Sequence, residues 1–121
     1  MEYVEPTGEW WDAEREYADE VVGDDTLPAM FEAAAGRHAG SSAQLFKGGV
    51  YDRSLGGTVV PDAPPGEYTG ITYNRMRTIV RHLAAGFREL GVEPDDRVAI
   101  FATTRMEWAL SDFALLAAGA V

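Results

Sequence analysis

The side chains with chemistry to offer are twenty carboxylates, ten Lys or Arg and two histidines, with no cysteine. Without a thiol there is no cysteine nucleophile, no disulfide and no thiolate metal site, and two lone histidines are a poor basis for a metal centre. Asp95 and Asp96 are adjacent carboxylates, superficially a general acid and base pair. Pro94 before them marks a turn, however, and neighbouring residues of a turn point apart. Asp52, Asp62 and Glu67 lie among Gly and Pro with no repeated spacing and read as solvated loop acids. His38 falls where a helix is expected to end, a place that the helix dipole favours for an imidazole. A phosphate cradle needs glycines for close backbone approach and usually a Lys or Ser/Thr beside a helix N-terminus. Ala102-Thr103-Thr104-Arg105 has neither Gly nor Lys, so a structural turn is the stronger reading there and an anion site the weaker. Gly-x-Ser-x-Gly and Ser/His/Asp arrangements are absent too. No residue is therefore assigned a catalytic, cofactor-binding or metal-ligating role.

Charge divides the chain in two. Residues 1–25 hold ten Asp and Glu against Arg15, a net charge of −9 out of −10 for all 121 residues, and residues 26–121 are nearly neutral. The expectation is an acidic N-terminal arm, 1–25, followed by one partial α/β domain, 26–121. In the arm, Trp10, Tyr17, Ala18, Val21 and Val22 fall at helical spacing, which fits a short amphipathic helix laid on the body or, alternatively, a docking segment for another protein. Nucleic acid is excluded as a partner, because phosphate contacts need a basic face. No apolar run approaches the roughly 20 residues of a membrane span, and the acidic start is unlike a signal peptide, so a cytoplasmic location is expected.

Elements follow from periodicity and punctuation. Asp25 or Thr26 is placed to cap a helix that tolerates Pro28 in its first turn, lines one face with Leu27, Met30, Phe31 and Ala34, and fades between Gly36 and Gly40. Ala43–Lys47 and Val50–Ser54 flank Gly48-Gly49 and form a candidate β-hairpin. Residues 56–67 hold too many Gly and Pro for an element interior and read as a surface loop. From Thr72 to Leu90, Met76, Ile79, Val80, Leu83, Phe87 and Leu90 form one apolar stripe, stopped by Gly91. Arg75, Arg77, Arg81, His82 and Arg88 lie mainly off it and read as a solvated face, since no aromatic residues interleave with them. Val98–Ala102 is continuously apolar, the mark of a strand covered on both faces of a parallel sheet. Thr104 and Glu107 form a capping box opening a last helix with Trp108, Leu110, Phe113, Leu115, Leu116 and Ala117, apolar round most of its circumference. Gly119 then leads towards a new strand. A chain this small has too little material to cover both that strand and that helix, so it reads as half of a doubly wound unit.

Ile71-Thr72-Tyr73, Leu83-Ala84-Ala85-Gly86-Phe87, Leu90-Gly91-Val92 with Pro94-Asp95-Asp96-Arg97-Val98-Ala99-Ile100, and Glu107-Trp108 with Ala117-Ala118-Gly119-Ala120-Val121 together resemble the N-terminal region of AMP-forming acyl-CoA synthetases. Leu27-Pro28-Ala29-Met30-Phe31 and the long insert from Gly48 to Tyr68 look most like the long-chain fatty acid branch. Asp95 stands where that family usually has Gly, and Thr103-Thr104 where Asn-Ser is common. The resemblance implies an α/β fold, the N-terminal portion of the large domain of an adenylate-forming enzyme, incomplete on its own. It implies a full-length protein that uses ATP, Mg2+ and coenzyme A to activate a fatty acid. The segment here would be scaffold partnered by the remainder of the same enzyme and would bind no cofactor itself. A small acidic α/β protein-protein interaction module is the competing expectation.

Overall fold

Thr26 begins the first element: its backbone is extended and its hydroxyl accepts from the Ala29 N–H, satisfying one of the donors that a helix start leaves free. The computed structural model describes Gly8, Asp12, Arg15, Glu16, 26–50 and 57–121. The residues named for the arm's apolar helix face, Trp10, Tyr17, Ala18, Val21 and Val22, and most of the expected Val50–Ser54 limb lie outside the described residues. In chain order the elements are α1 (Leu27–Arg37), β1 (Ser42–Lys47), β2 (Tyr68–Thr72), α2 (Tyr73–Glu89) and α3 (Met106–Ala118).

Pro28 sits in the first turn of α1, and the helix ends at Arg37 with His38 as its C-cap. The buried face of α1 is Phe31 with Ala35, an i, i+4 pair. Leu27, expected on that face, is exposed instead. Most of the second limb of the hairpin expected across Gly48-Gly49 lies outside the described residues, and the pairing that the structure describes for β1 is with β2. β1 runs antiparallel to β2, with Lys47 opposite Tyr68 and Leu45 opposite Gly70. Gly70 permits that register, because a Cβ there would lie 2.6 Å from Leu45 Cδ2 and 2.9 Å from the Gln44 carbonyl. The chain therefore leaves the sheet at Gly48 and returns at Glu67, whose carbonyl accepts the Gly48 N–H at 2.9 Å. Within that excursion Val60 and Ala63 are buried, so part of the expected surface loop contributes to the core.

Thr72 ends β2 and caps α2, its hydroxyl accepting from the Arg75 N–H at 3.2 Å. Met76, Ile79 and Val80 of the expected stripe are buried along α2, with Ala84 beside them, while Leu83 and Phe87 are half-buried and Leu90 at its end is exposed. The helix stops in a Schellman motif: Gly91 takes φ +102°, its N–H donates to Arg88 and the Val92 N–H reaches back to Phe87. α3 stops the same way, with Gly119 at φ +94° and the Ala120 N–H donating to Leu115.

The core lies between the three helices and one side of the sheet. Phe31 of α1 stacks on Phe113 of α3 with ring centroids 4.5 Å apart, and Leu110, Ala114 and Ala118 pack with Ile79 and Val80. Among the described residues every buried side chain is apolar.

Candidate functional site

Two of the strings that carried the family resemblance, Leu90–Ile100 and Ala117–Val121, converge at one junction, between the ends of α2 and α3. After Gly91 the chain makes a tight turn over Glu93-Pro94-Asp95-Asp96, closed by the Asp96 N–H on the Glu93 carbonyl and by the Glu93 N–H on Asp96 Oδ2 at 2.8 Å. Asp95 holds φ +69°, the left-handed value required at the third position of a type II turn after Pro. This explains Asp at a place where the resembled family has Gly. Asp96 is a turn acceptor through its carboxylate, whereas Asp95 is constrained through its backbone.

That turn lies against the stop of α3. The Asp95 N–H donates to the Gly119 carbonyl at 2.8 Å. A Cβ on Gly119 would lie 3.2 Å from Pro94 Cα, so this glycine is needed for contact as well as for its φ. From here the backbones run side by side: the Val121 N–H donates to the Asp96 carbonyl and the Val98 N–H to the Val121 carbonyl. Those two bonds flank Arg97 in the slanted pattern of parallel pairing. The buried strand expected over Val98–Ala102 is not formed, since beyond this start its backbone has no neighbour to pair with. Instead of being sheltered, Val98 is exposed and Phe101 is 107% exposed. Val98, Ile100, Trp108, Leu115, Leu116 and Val121 line a hollow of about 210 Å3 between this ribbon and α3. Trp108, expected to be buried, is 45% exposed on its rim.

At the other end of the ribbon the helix start falls one residue later than the capping box placed it. Arg105 is the N-cap, extended and without a side-chain cap hydrogen bond, and Glu107 is the acid of the first turn. Glu107 Oε2 accepts from Arg105 Nε at 2.9 Å, and both side chains are mostly buried, so their charges are paired where water is scarce. Gln44 of β1 reaches the same place and donates from Nε2 to the Met106 carbonyl at 3.2 Å, tying the sheet to α3, while its Oε1 is buried without a partner. Nothing in the sequence singled out Gln44, because a polar residue on a short strand has no periodic signature. Gln44, Phe46, Lys47, Tyr68 and Arg105 border a groove of about 410 Å3. The Lys47 ammonium lies 5.8 Å from the Tyr68 ring centroid.

The remaining reactive side chains are dispersed. His38 closes α1 beside the Tyr73 ring and His82 is exposed on α2. Asp62 and Glu67 are exposed, and Asp52 lies outside the described residues. The arginines of α2 act on the protein itself: Arg75 donates to the Val59 carbonyl at 2.7 Å, Arg77 to Asn74, and Arg81 forms a two-pronged fork on Glu32 of α1. That carboxylate raises the Arg81 pKa, through the hydrogen bond first and charge second. Among the described residues no three of His, Asp or Glu are grouped to hold a metal ion, and the Ala102–Arg105 turn has no glycine or lysine for a phosphate. No helix among the described residues is long and apolar enough to cross a membrane.

Comparison with known proteins gives the junction its context. A family profile described as AMP-binding enzyme matches residues 32–121. Over 96 residues the chain is 36% identical to the long-chain-fatty-acid–CoA ligase FadD15 of Mycobacterium tuberculosis, an alignment covering 79% of this chain and 15% of that protein. FadD15 of Mycobacterium bovis matches to the same extent. A chloroplastic long-chain-fatty-acid acyl-carrier-protein ligase of Arabidopsis thaliana, AEE15, is 37% identical over 51 residues, 42% of this chain and 7% of its own. The chain thus spans a small part of the length of the curated relatives it matches. The profile covers most of the α/β body and takes in the whole junction of Pro94, Gly119 and Val121, and on that ground the chain belongs to the AMP-binding enzyme family.

Proposed function

We propose that this chain is the N-terminal scaffold of a fatty acid–CoA ligase and that its own residues do no covalent chemistry. The observation that carries the reading is the 36% identity over 96 residues, 79% of this chain, with a long-chain-fatty-acid–CoA ligase. In the reaction proposed for the whole protein, a fatty acid carboxylate oxygen attacks the α-phosphorus of ATP and pyrophosphate leaves. The coenzyme A thiol then attacks the acyl carbon of the adenylate, forming the thioester and releasing AMP. The groups that bind ATP, Mg2+ and coenzyme A are assigned to parts of the protein other than these residues. This segment's contribution is packing: its exposed ribbon and the hollow beside Trp108 receive the rest of the large domain.

The test is ATP–pyrophosphate exchange driven by saturated fatty acids of graded length, run on the product of the complete gene and on residues 1–121 alone. Exchange is expected from the complete product with medium or long acyl chains and at background from residues 1–121. Background exchange from the complete product with every carboxylate tried overturns the ligase reading, and exchange by residues 1–121 alone overturns the scaffold reading.

A further inference from the structure

Lys47 is the only lysine in residues 1–121. It ends β1 opposite Tyr68, and the alternation of a strand puts it on the same face as Leu45 two residues earlier. That face is turned to solvent: Lys47 is exposed, Leu45 is 65% exposed and Tyr68 70%, and Val50 shortly beyond is 51% exposed. These four side chains share one surface, since all of them line the groove of about 410 Å3 that runs on to Arg105 and Met106.

Two features distinguish this lysine from an ordinary solvated charge. Its ammonium lies 5.8 Å from the Tyr68 ring centroid, which holds the side chain along the apolar wall of the groove. The ion pairs of the described residues join Arg81 to Glu32 and Arg105 to Glu107 and leave Lys47 out, and no Asp or Glu is among the described residues that line the groove. The groove therefore combines a nitrogen nucleophile, an apolar wall and a border that carries Lys47 and Arg105 without a carboxylate. Its complement is an anionic amphiphile with an electrophilic carbon at the joint between its two halves. A long-chain acyl thioester of coenzyme A is built that way, with an apolar chain, then the acyl carbon, then a carrier that bears phosphates.

We propose that Lys47 is a site of covalent acylation by long-chain acyl thioesters, with the acyl chain seated against Leu45, Val50 and Tyr68. The lone pair of the neutral amine attacks the acyl carbon, and the carbon–sulfur bond breaks with its electron pair going to sulfur. The nitrogen releases a proton and the sulfur takes one up, so the products are an N-acyl lysine and a free thiol, with no oxidant or reductant consumed. The groove contributes by holding the two reacting groups together. Acylation is a mark left on the scaffold, outside the ligase reaction, and it removes one positive charge from this surface. The reagent belongs to the product class of the ligase reading, but in the test it is supplied ready-made, so the two claims fail separately.

The experiment incubates the complete gene product with palmitoyl-coenzyme A or acetyl-coenzyme A, without ATP, and follows tryptic peptides by mass. Trypsin does not cut after an acylated lysine, so the adduct is read as one peptide from His38 to Arg53 carrying the acyl mass, and unmodified protein as His38 to Lys47. The adduct is expected to accumulate severalfold faster from the palmitoyl than from the acetyl thioester. Leu45→Ser combined with Val50→Ser, both at exposed positions, is expected to abolish that advantage while the acetyl rate stays unchanged, which shows Lys47 still presented as before. No palmitoylated peptide spanning Lys47, equal palmitoyl and acetyl rates in the unaltered protein, or a palmitoyl rate that survives the double change or falls only together with the acetyl rate, overturns the proposal.

Discussion

Asp95 occupies a left-handed conformation in which a Cβ is normally disfavoured, and it does so between Pro94 and a hydrogen bond to Gly119. Asp tolerates that region better than most residues, but glycine tolerates it best. Asp95→Gly is expected to leave stability unchanged or raise it by up to about 1 kcal/mol, relief of strain offsetting the added freedom of the unfolded chain. Asp95→Val is expected to cost about 1–3 kcal/mol, since a branched Cβ has no comfortable place there. Chemical denaturation midpoints of the complete protein check both, and a midpoint for the valine variant at or above that of the unaltered protein would show that the turn is not built this way. Gly48 is constrained differently. A Cβ at Gly48 would lie 2.1 Å from the Ala63 carbonyl oxygen and 2.3 Å from that of Pro64, both backbone atoms that have no rotamer to give. Gly48→Ala is expected to displace the returning loop and free Val60 from the core. Faster amide exchange between residues 57 and 67 would report it.

At the level of elements, what was legible depended on whether an element's signal was local. α2 was legible almost to the residue, because a long stripe of period 3.6, a threonine cap and a glycine stop all lie within its own sequence. β1 was legible as a strand, yet its pairing with β2 across a long excursion was not. That pairing rests on the tertiary fit of Gly70 beneath Leu45 and the anchoring of Val60. The start of α3 moved one position from Thr104 to Arg105, within the ordinary uncertainty of helix ends. Of the site, the turn role of Asp95 and Asp96 was readable from Pro94, but the meeting of Pro94 with Gly119 was not, because no periodicity links two loops. The most consequential joint between elements is Phe31 on Phe113, which couples α1 to α3. Phe31→Ala is expected to destabilise the complete protein by about 3–5 kcal/mol through lost burial and the cavity left behind. A loss below about 1 kcal/mol in thermal or denaturant unfolding would mean that α1 is merely resting on the core.

On the scale of the whole molecule, apolar surface exceeds the cover available: Phe101, Trp108, Val98 and Val121 are all exposed. This makes Phe101→Ser a two-way test. In residues 1–121 alone the side chain has nothing to lose, so the change is expected to increase soluble yield without lowering stability. In the complete protein, if the ribbon is covered, the same change is expected to cost about 3 kcal/mol or more. Equal effects in the two contexts would remove the physical basis of the scaffold reading. The neck at Gly48 and Glu67 bears on variation within the family. Because two backbone hydrogen bonds, from Gly48 to Glu67 and from Gly66 to Gly48, cinch the base of the excursion, its length is decoupled from the register of β1 on β2. Doubling such a loop adds only about 0.6 kcal/mol of closure entropy. Relatives are thus free to lengthen or ornament this bulge at its tip, provided that a small residue stays at the neck and one apolar side chain still plugs the place of Val60.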